Sequence, residues 1–130
     1  MQTYLLIGLG GALGSVARHW CNGLIAALMG VAFPWGTLVI NVLGSMVIGF
    51  AATTMHDGGL LPVGNDARLF LMVGVCGGYT TFSAFSLQTL TLIQGGQWLP
   101  AAGNVALSVV LCIAGVWIGY LAGLALNPNG

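Results

Sequence analysis

Apolar residues run along this chain in four long blocks separated by three short polar or turn-forming stretches. The first block extends from about Tyr4 to Met29 (4–29), and Gly30 to Pro34 separates it from a second, about Trp35 to Met55 (35–55). The longest polar stretch, His56 to Asp66, follows and holds both acids with Gly58, Gly59, Pro62 and Gly64. A third block covers about Ala67 to Ile93 (67–93) and stops at Gln94-Gly95-Gly96-Gln97. The fourth runs from about Trp98 to Leu126 (98–126). A helix needs about 20 apolar residues to cross the hydrocarbon layer of a bilayer. Every block has that length, which predicts an all-α membrane protein with four transmembrane helices in a single domain over residues 1–130. An even number of spans puts both termini on one side and leaves no segment for a soluble module. Pro34, Trp35 and Trp98 stand where helix starts and interfacial anchors belong.

Composition strengthens the membrane reading. Hydrophobic residues make up 58% of the chain and Gly adds 22 positions, while the formal charges are only Arg18, Arg68, Asp57 and Asp66. An average soluble domain of this length carries roughly 30 charged residues. Too little polar surface remains to clothe a globule in water, and no cluster of Lys and Arg is present to hold phosphates, so no nucleic-acid partner is expected. The first block has no basic flank and no small-residue cleavage site, so it is expected to be kept as a span and not removed as a signal peptide. Cys21, Cys76 and Cys112 are odd in number and lie in apolar blocks. They read as small buried hydrophobes and not as a disulfide set or a zinc site.

Small residues recur at four-residue spacing: Gly10 and Gly14, Ser45 and Gly49, then Gly115, Gly119 and Gly123. Such stripes let helices approach closely in lipid. The cations are almost evenly divided, with Arg68 on the side of the termini and Arg18 within the first block, able to snorkel toward the other face. The positive-inside rule then has almost nothing to act on. Insertion in both orientations follows, and two oppositely inserted copies can pair antiparallel.

The third block is chemically unusual, reading Gly74-Val75-Cys76-Gly77-Gly78-Tyr79-Thr80-Thr81-Phe82-Ser83-Ala84-Phe85-Ser86. A Gly pair weakens helix, and Ser and Thr offer the backbone other partners, so a break in mid-membrane is expected here. Carbonyls freed near Gly77 to Thr80 need protein, water or an ion, which suits a small cation; a kink whose hydroxyls cap their own helix is the alternative. Phe82 and Phe85, three apart, share a helical face. They either face lipid or line a path in which the positive ring edges attract a small anion. Asn41 is an amide in the middle of the second block. It can tie two helices together, or its N–H groups can replace part of an anion's hydration shell. Thr37 shares its face, and Asn104, Ser108 and Cys112 form a polar stripe in the fourth block.

Phe33-Pro34-Trp35-Gly36-Thr37-Leu38 with Asn41-Val42-Leu43-Gly44-Ser45, and then Cys76 through Ser86, resemble the Fluc (CrcB) family of bacterial fluoride channels. Gly10-Gly11-Ala12-Leu13-Gly14-Ser15 with Arg18 is similar too, and the likeness covers all four blocks. The resemblance implies a dual-topology homodimer in the bacterial inner membrane, with two antiparallel fluoride pores and a central structural sodium ion (Na+). It implies that backbone carbonyls of Gly77 and Thr80 hold the sodium. It matches Phe82 and Phe85 to the phenylalanines of the fluoride path, and Asn41 to the pore asparagine, with Thr81, Ser83 and Ser108 supplying hydroxyls. The chain departs from the family pattern at Ala84, which replaces a usual Thr, at Cys112, often a hydroxyl position, and at Gln88, where an acid is common.

The implied mechanism is passive. Fluoride enters a cell as the neutral weak acid, ionises and is trapped; a channel lets the anion leave down its gradient. Selectivity then requires a narrow path that replaces fluoride's water by amide, hydroxyl and ring-edge contacts. No enzyme activity is expected, since no Ser-His-Asp set or nucleotide loop is present. The alternative is a small multidrug-type four-helix transporter, which needs an ionisable group at depth, whereas both acids fall between the second and third blocks. A subunit with a purely assembling role would account for the small residues but not for the hydroxyl and phenylalanine cluster.

Overall fold

The computed structural model describes residues 1–127, and within them every regular element is helical. The expected single domain of 1–130 extends to residues 128–130, which lie outside the described residues. Helix α1 spans Gln2–Met29 and ends at Gly30, whose φ of 80° only glycine adopts readily, while its N–H closes the last turn on Ala26. Phe33 and Trp35 pack ring against ring at 4.7 Å, and α2 runs Trp35–Thr54 with Pro34 as its cap residue.

The third block is composite. A short α3, Asn65–Leu69, passes into a π-helical segment, Phe70–Cys76, and then into a single turn, α4, Gly77–Tyr79. The helix breaks at Thr80 and Thr81, both extended, and resumes as α5, Phe82–Gln94. α6 spans Trp98–Leu126 and coincides with the fourth apolar block. The position of the break corrects the sequence expectation: the Gly pair stays helical, and the chain unwinds after it. Gly78 is needed for packing, because a Cβ there would strike the Gly11 carbonyl of α1. The β-branched threonines favour extended backbone, and their hydroxyls compete for helical hydrogen bonds.

Packing follows the small-residue stripes. α6 lies along α2 with Gly115, Gly119 and Gly123 against Val42, Met46, Phe50 and Thr53. α1 lies along the π-helical segment and α4, with Gly10 and Gly14 against Phe70, Gly74, Val75 and Tyr79. The interior mixes apolar residues such as Leu38, Ile40 and Phe85 with the polar Thr37, Thr53, Thr54, Asn104 and Ser108, while Leu9, Leu13, Val16, Val110, Ile113 and Trp117 face outward. An outward face this apolar, over an interior that carries buried hydroxyls and an amide, fits lipid as the solvent.

Three stretches are long and apolar enough to cross a membrane, Trp35–Thr54, Asn65–Gln94 and Trp98–Leu126. α1 has ample length at 28 residues but is diluted by Arg18, His19, Asn22 and its glycines, and it is not in that set. Near both ends of the described residues the chain meets the α2 to α3 region, Thr3 at the first turn of α3 and Asn127 at the connection and the end of α2. Thr3 donates to the Asp66 carboxylate at 3.0 Å, and Asn127 accepts from Leu60 N–H at 2.7 Å while donating to the Thr53 carbonyl at 2.6 Å.

Candidate functional site

The break faces α2 across a cavity of about 420 Å³. Asn41 makes the decisive contact. Its Oδ1 accepts from the Thr81 backbone N–H at 2.7 Å, and its Nδ2 donates to the Thr81 carbonyl at 3.1 Å. One amide thus satisfies both polar groups of the residue that unwinding would otherwise leave unpaired, where orphan backbone is costly. Ser45, one turn on, donates its hydroxyl to the Asn41 carbonyl at 2.7 Å. The amide plane has two N–H bonds, and one is committed to Thr81. A single N–H remains for anything else in the cavity, fewer than the two that the sequence suggested.

Thr81 is the N-cap of α5: its Oγ1 accepts from Ala84 N–H at 3.2 Å and lies 3.2 Å from Ser83 Oγ. Ala84 therefore takes part through its backbone, whatever its side chain lacks. Thr81→Val is expected to lower stability by about 1 kcal/mol, the usual worth of such a cap. Thermal unfolding in detergent checks this, with Thr81→Ser expected to melt near wild type; a Val variant that melts with the Ser variant counts against the cap.

Phe82 and Phe85 lie with centroids 5.2 Å apart and planes tilted by 54°. Phe85 is buried, whereas Phe82 is 78% exposed, so one ring faces the interior of the chain and its neighbour projects from it. The pair's position is relayed from α6. Buried Asn104 donates through Nδ2 to Thr89 Oγ1 at 2.9 Å, and Thr89 donates to the Phe85 carbonyl at 2.8 Å. Ser108 lines the cavity one turn beyond Asn104. Gly77 and Thr80 also line it; the Thr80 hydroxyl turns back to the Cys76 carbonyl at 2.8 Å, and its methyl covers Gly44.

The structure therefore brings together Asn41, Phe82, Phe85, Thr81, Ser108, Gly77 and Thr80 on one cavity. Ser83 is exposed and off that wall, touching it only through Thr81. Ser45 was not singled out as a site residue, although its place four residues after Asn41 on a helix was a usable signal. Met72 and Cys76 line the cavity as well, and nothing in the apolar pattern marks them. Gln88 lies elsewhere, on a second cavity of about 440 Å³ with Asn22 and Gln97, and its buried Oε1 has no hydrogen-bond partner.

Fold and site together define a multi-pass membrane protein in which a broken helix is clamped by an amide beside a small, mostly apolar cavity. The chain belongs to the CrcB family: the family described as "CrcB-like protein, Camphor Resistance (CrcB)" matches residues 5–120. It is 59% identical over 128 residues to a protein of Rhodospirillum rubrum named fluoride-specific ion channel FluC, covering 98% of this chain and 99% of that one. A protein of the same name from Opitutus terrae is 55% identical over 127 residues, covering 98% and 96%. One from Thermus thermophilus is 45% identical over 123 residues, covering 92% and 96%.

Proposed function

We propose that this chain is a fluoride-selective channel of the bacterial inner membrane that lowers cytoplasmic fluoride by passive export. In this reading each chain is one four-helix domain with α1 as the fourth span, and two antiparallel copies form a dimer with two pores. The observation that carries it is the Asn41 clamp on Thr81, which sets a spare amide N–H, a phenylalanine pair and the Ser108 hydroxyl around one cavity. The names of the relatives point the same way. The projecting Phe82 ring suits a site that a second copy completes.

Fluoride holds its water tightly, so a path must replace that water without binding the ion too firmly to release it. One N–H, hydroxyls and positive ring edges provide neutral, partial compensation. No carboxylate lies on the cavity wall to repel the anion, and no Lys, Arg or His side chain lies there to trap it. The multidrug-type alternative wants a carboxylate at depth, but Asp57 lies in the α2 to α3 connection and Asp66 in the first turn of α3, hydrogen-bonded to Thr3.

Sodium is assigned to the backbone carbonyls of Gly77 and Thr80. The residues present fit it: hard oxygen donors at the negative end of a helix turn suit a hard cation, and a Cβ at Gly77 would meet nothing within 4 Å, leaving room for a partner's carbonyls. Bound there, the ion would supply fixed positive charge to hold two broken helices together.

The test is fluoride efflux from liposomes containing the purified protein, with chloride as control. Wild type is expected to release fluoride and retain chloride. Phe82→Ile is expected to slow release by about tenfold, the effect of losing ~1.4 kcal/mol of stabilisation along the path. Wild-type vesicles that leak no faster than empty ones would end the channel reading.

A further inference from the structure

Two thiols and a thioether gather on the wall of the same cavity, and neither the helix packing nor the ion path described above employs them. Cys76 closes the π-helical segment, Met72 stands four residues before it, and Cys112 lies on α6 four residues after Ser108; all three line the cavity. Cys76 is buried and Cys112 half-buried, and both are free thiols. Met72 and Cys76 belong to one helical stretch and Cys112 to another, so the sulfur groups come from two walls of one chamber.

The donor chemistry selects the ligand class. Thiolate and thioether sulfur are soft donors that prefer cuprous-type ions over magnesium or calcium. Among the described residues no group of three His, Cys, Asp or Glu could hold a metal, so the nitrogen and carboxylate ligands of a zinc-type site are missing. A soft monovalent cation needs only two or three sulfurs. With one thiolate it forms a neutral unit, which suits a position where net charge is costly. On binding, one S–H bond breaks, its proton passes to solvent and a sulfur–metal bond forms, with no change of oxidation state.

We propose that Met72, Cys76 and Cys112 form a site for a thiophilic monovalent cation, cuprous or silver, whose occupation plugs the cavity. The plugging rests on the channel reading; the site does not. Silver nitrate is a suitable probe because silver fluoride is soluble, so chloride-free liposomes allow both ions together. Alkylation of the full-length protein by N-ethylmaleimide, followed by mass spectrometry of the cysteine peptides, reports the site directly. Silver at about ten times its dissociation constant is expected to slow labelling of Cys112 by about tenfold, by simple occupancy, and Cys76→Ser, which removes a partner sulfur from the cavity wall, is expected to raise the silver concentration this takes. Over the same silver range, wild-type fluoride efflux is expected to fall and to recover on adding dithiothreitol. Cys112→Ser, left with two sulfurs on one helical stretch, should need more silver for the same inhibition. Cys112 labelling that silver leaves unchanged overturns the site, as does equal silver inhibition of Cys112→Ser and wild type. Wild-type efflux that is absent before silver is added counts against the channel alone, and the labelling result still decides the site.

Discussion

Asn41→Asp is expected to reduce fluoride efflux by about a hundredfold or more, with little change in side-chain volume. The variant keeps an oxygen to accept from Thr81 N–H but replaces the donor that reaches the Thr81 carbonyl, so two oxygens face each other at about the 3.1 Å of the present bond. A buried carbonyl left unpaired costs ~1–3 kcal/mol. The charge matters more: a carboxylate and a fluoride 4 Å apart repel by ~4 kcal/mol even at an effective dielectric of 20. That is about a thousandfold in occupancy, so repulsion of the anion dominates over the loosened break. Asn41→Ala, which removes both bonds without adding charge, should fall less, by about tenfold. Fluoride-electrode recordings on reconstituted variants separate the two terms. An aspartate variant conducting within twofold of wild type would remove Asn41 from the path.

Gly119→Val is expected to leave almost no folded protein, whereas Gly103→Ala, on the same helix, should be neutral or stabilising. A Cβ at Gly119 would overlap the Met46 carbonyl oxygen and lie 3.0 Å from Phe50 N, both backbone atoms of α2. Neither can rotate away, so α2 and α6 must separate along the principal helix pair of the fold. Overpacking by one methylene already costs ~1–3 kcal/mol, and valine adds two further methyls in a fold whose total stability is of order 5–15 kcal/mol. Gly103 has nothing within 4 Å of its Cβ position, so alanine there adds up to ~1 kcal/mol of helix propensity. Size-exclusion profiles and melting curves in detergent check the pair, and indistinguishable melting would show that the close approach is dispensable.

The apolar blocks made the helices legible because membrane helices need length and little else, and 98–126 matches Trp98–Leu126 to the residue. The break was legible in kind, since few sequences put a Gly pair and five hydroxyls at bilayer depth. Its location was not. Whether a Gly pair unwinds or packs depends on what lies opposite, and here Gly11 lies opposite Gly78. The π-helical segment Phe70–Cys76 was hidden for a similar reason: widening a helix by one residue per turn leaves no compositional mark. Asn41 drew attention by being polar at depth, but its two-way bond to Thr81 joins residues 40 apart, which periodicity cannot see. The opposite exposures of Phe82 and Phe85 escaped the reading because three-residue spacing fixes a shared face and not what covers it.

Asn127 gives the order of synthesis a structural meaning. Its amide holds the α2 to α3 connection through Leu60 and Thr53, residues made 67 and 74 positions earlier. While the chain is being translated, α2 can insert and the connection can emerge, but the connection cannot take its final form until α6 is complete. A loop made in the first half of the chain is thus among the last to be fixed, by a residue that follows the final helix.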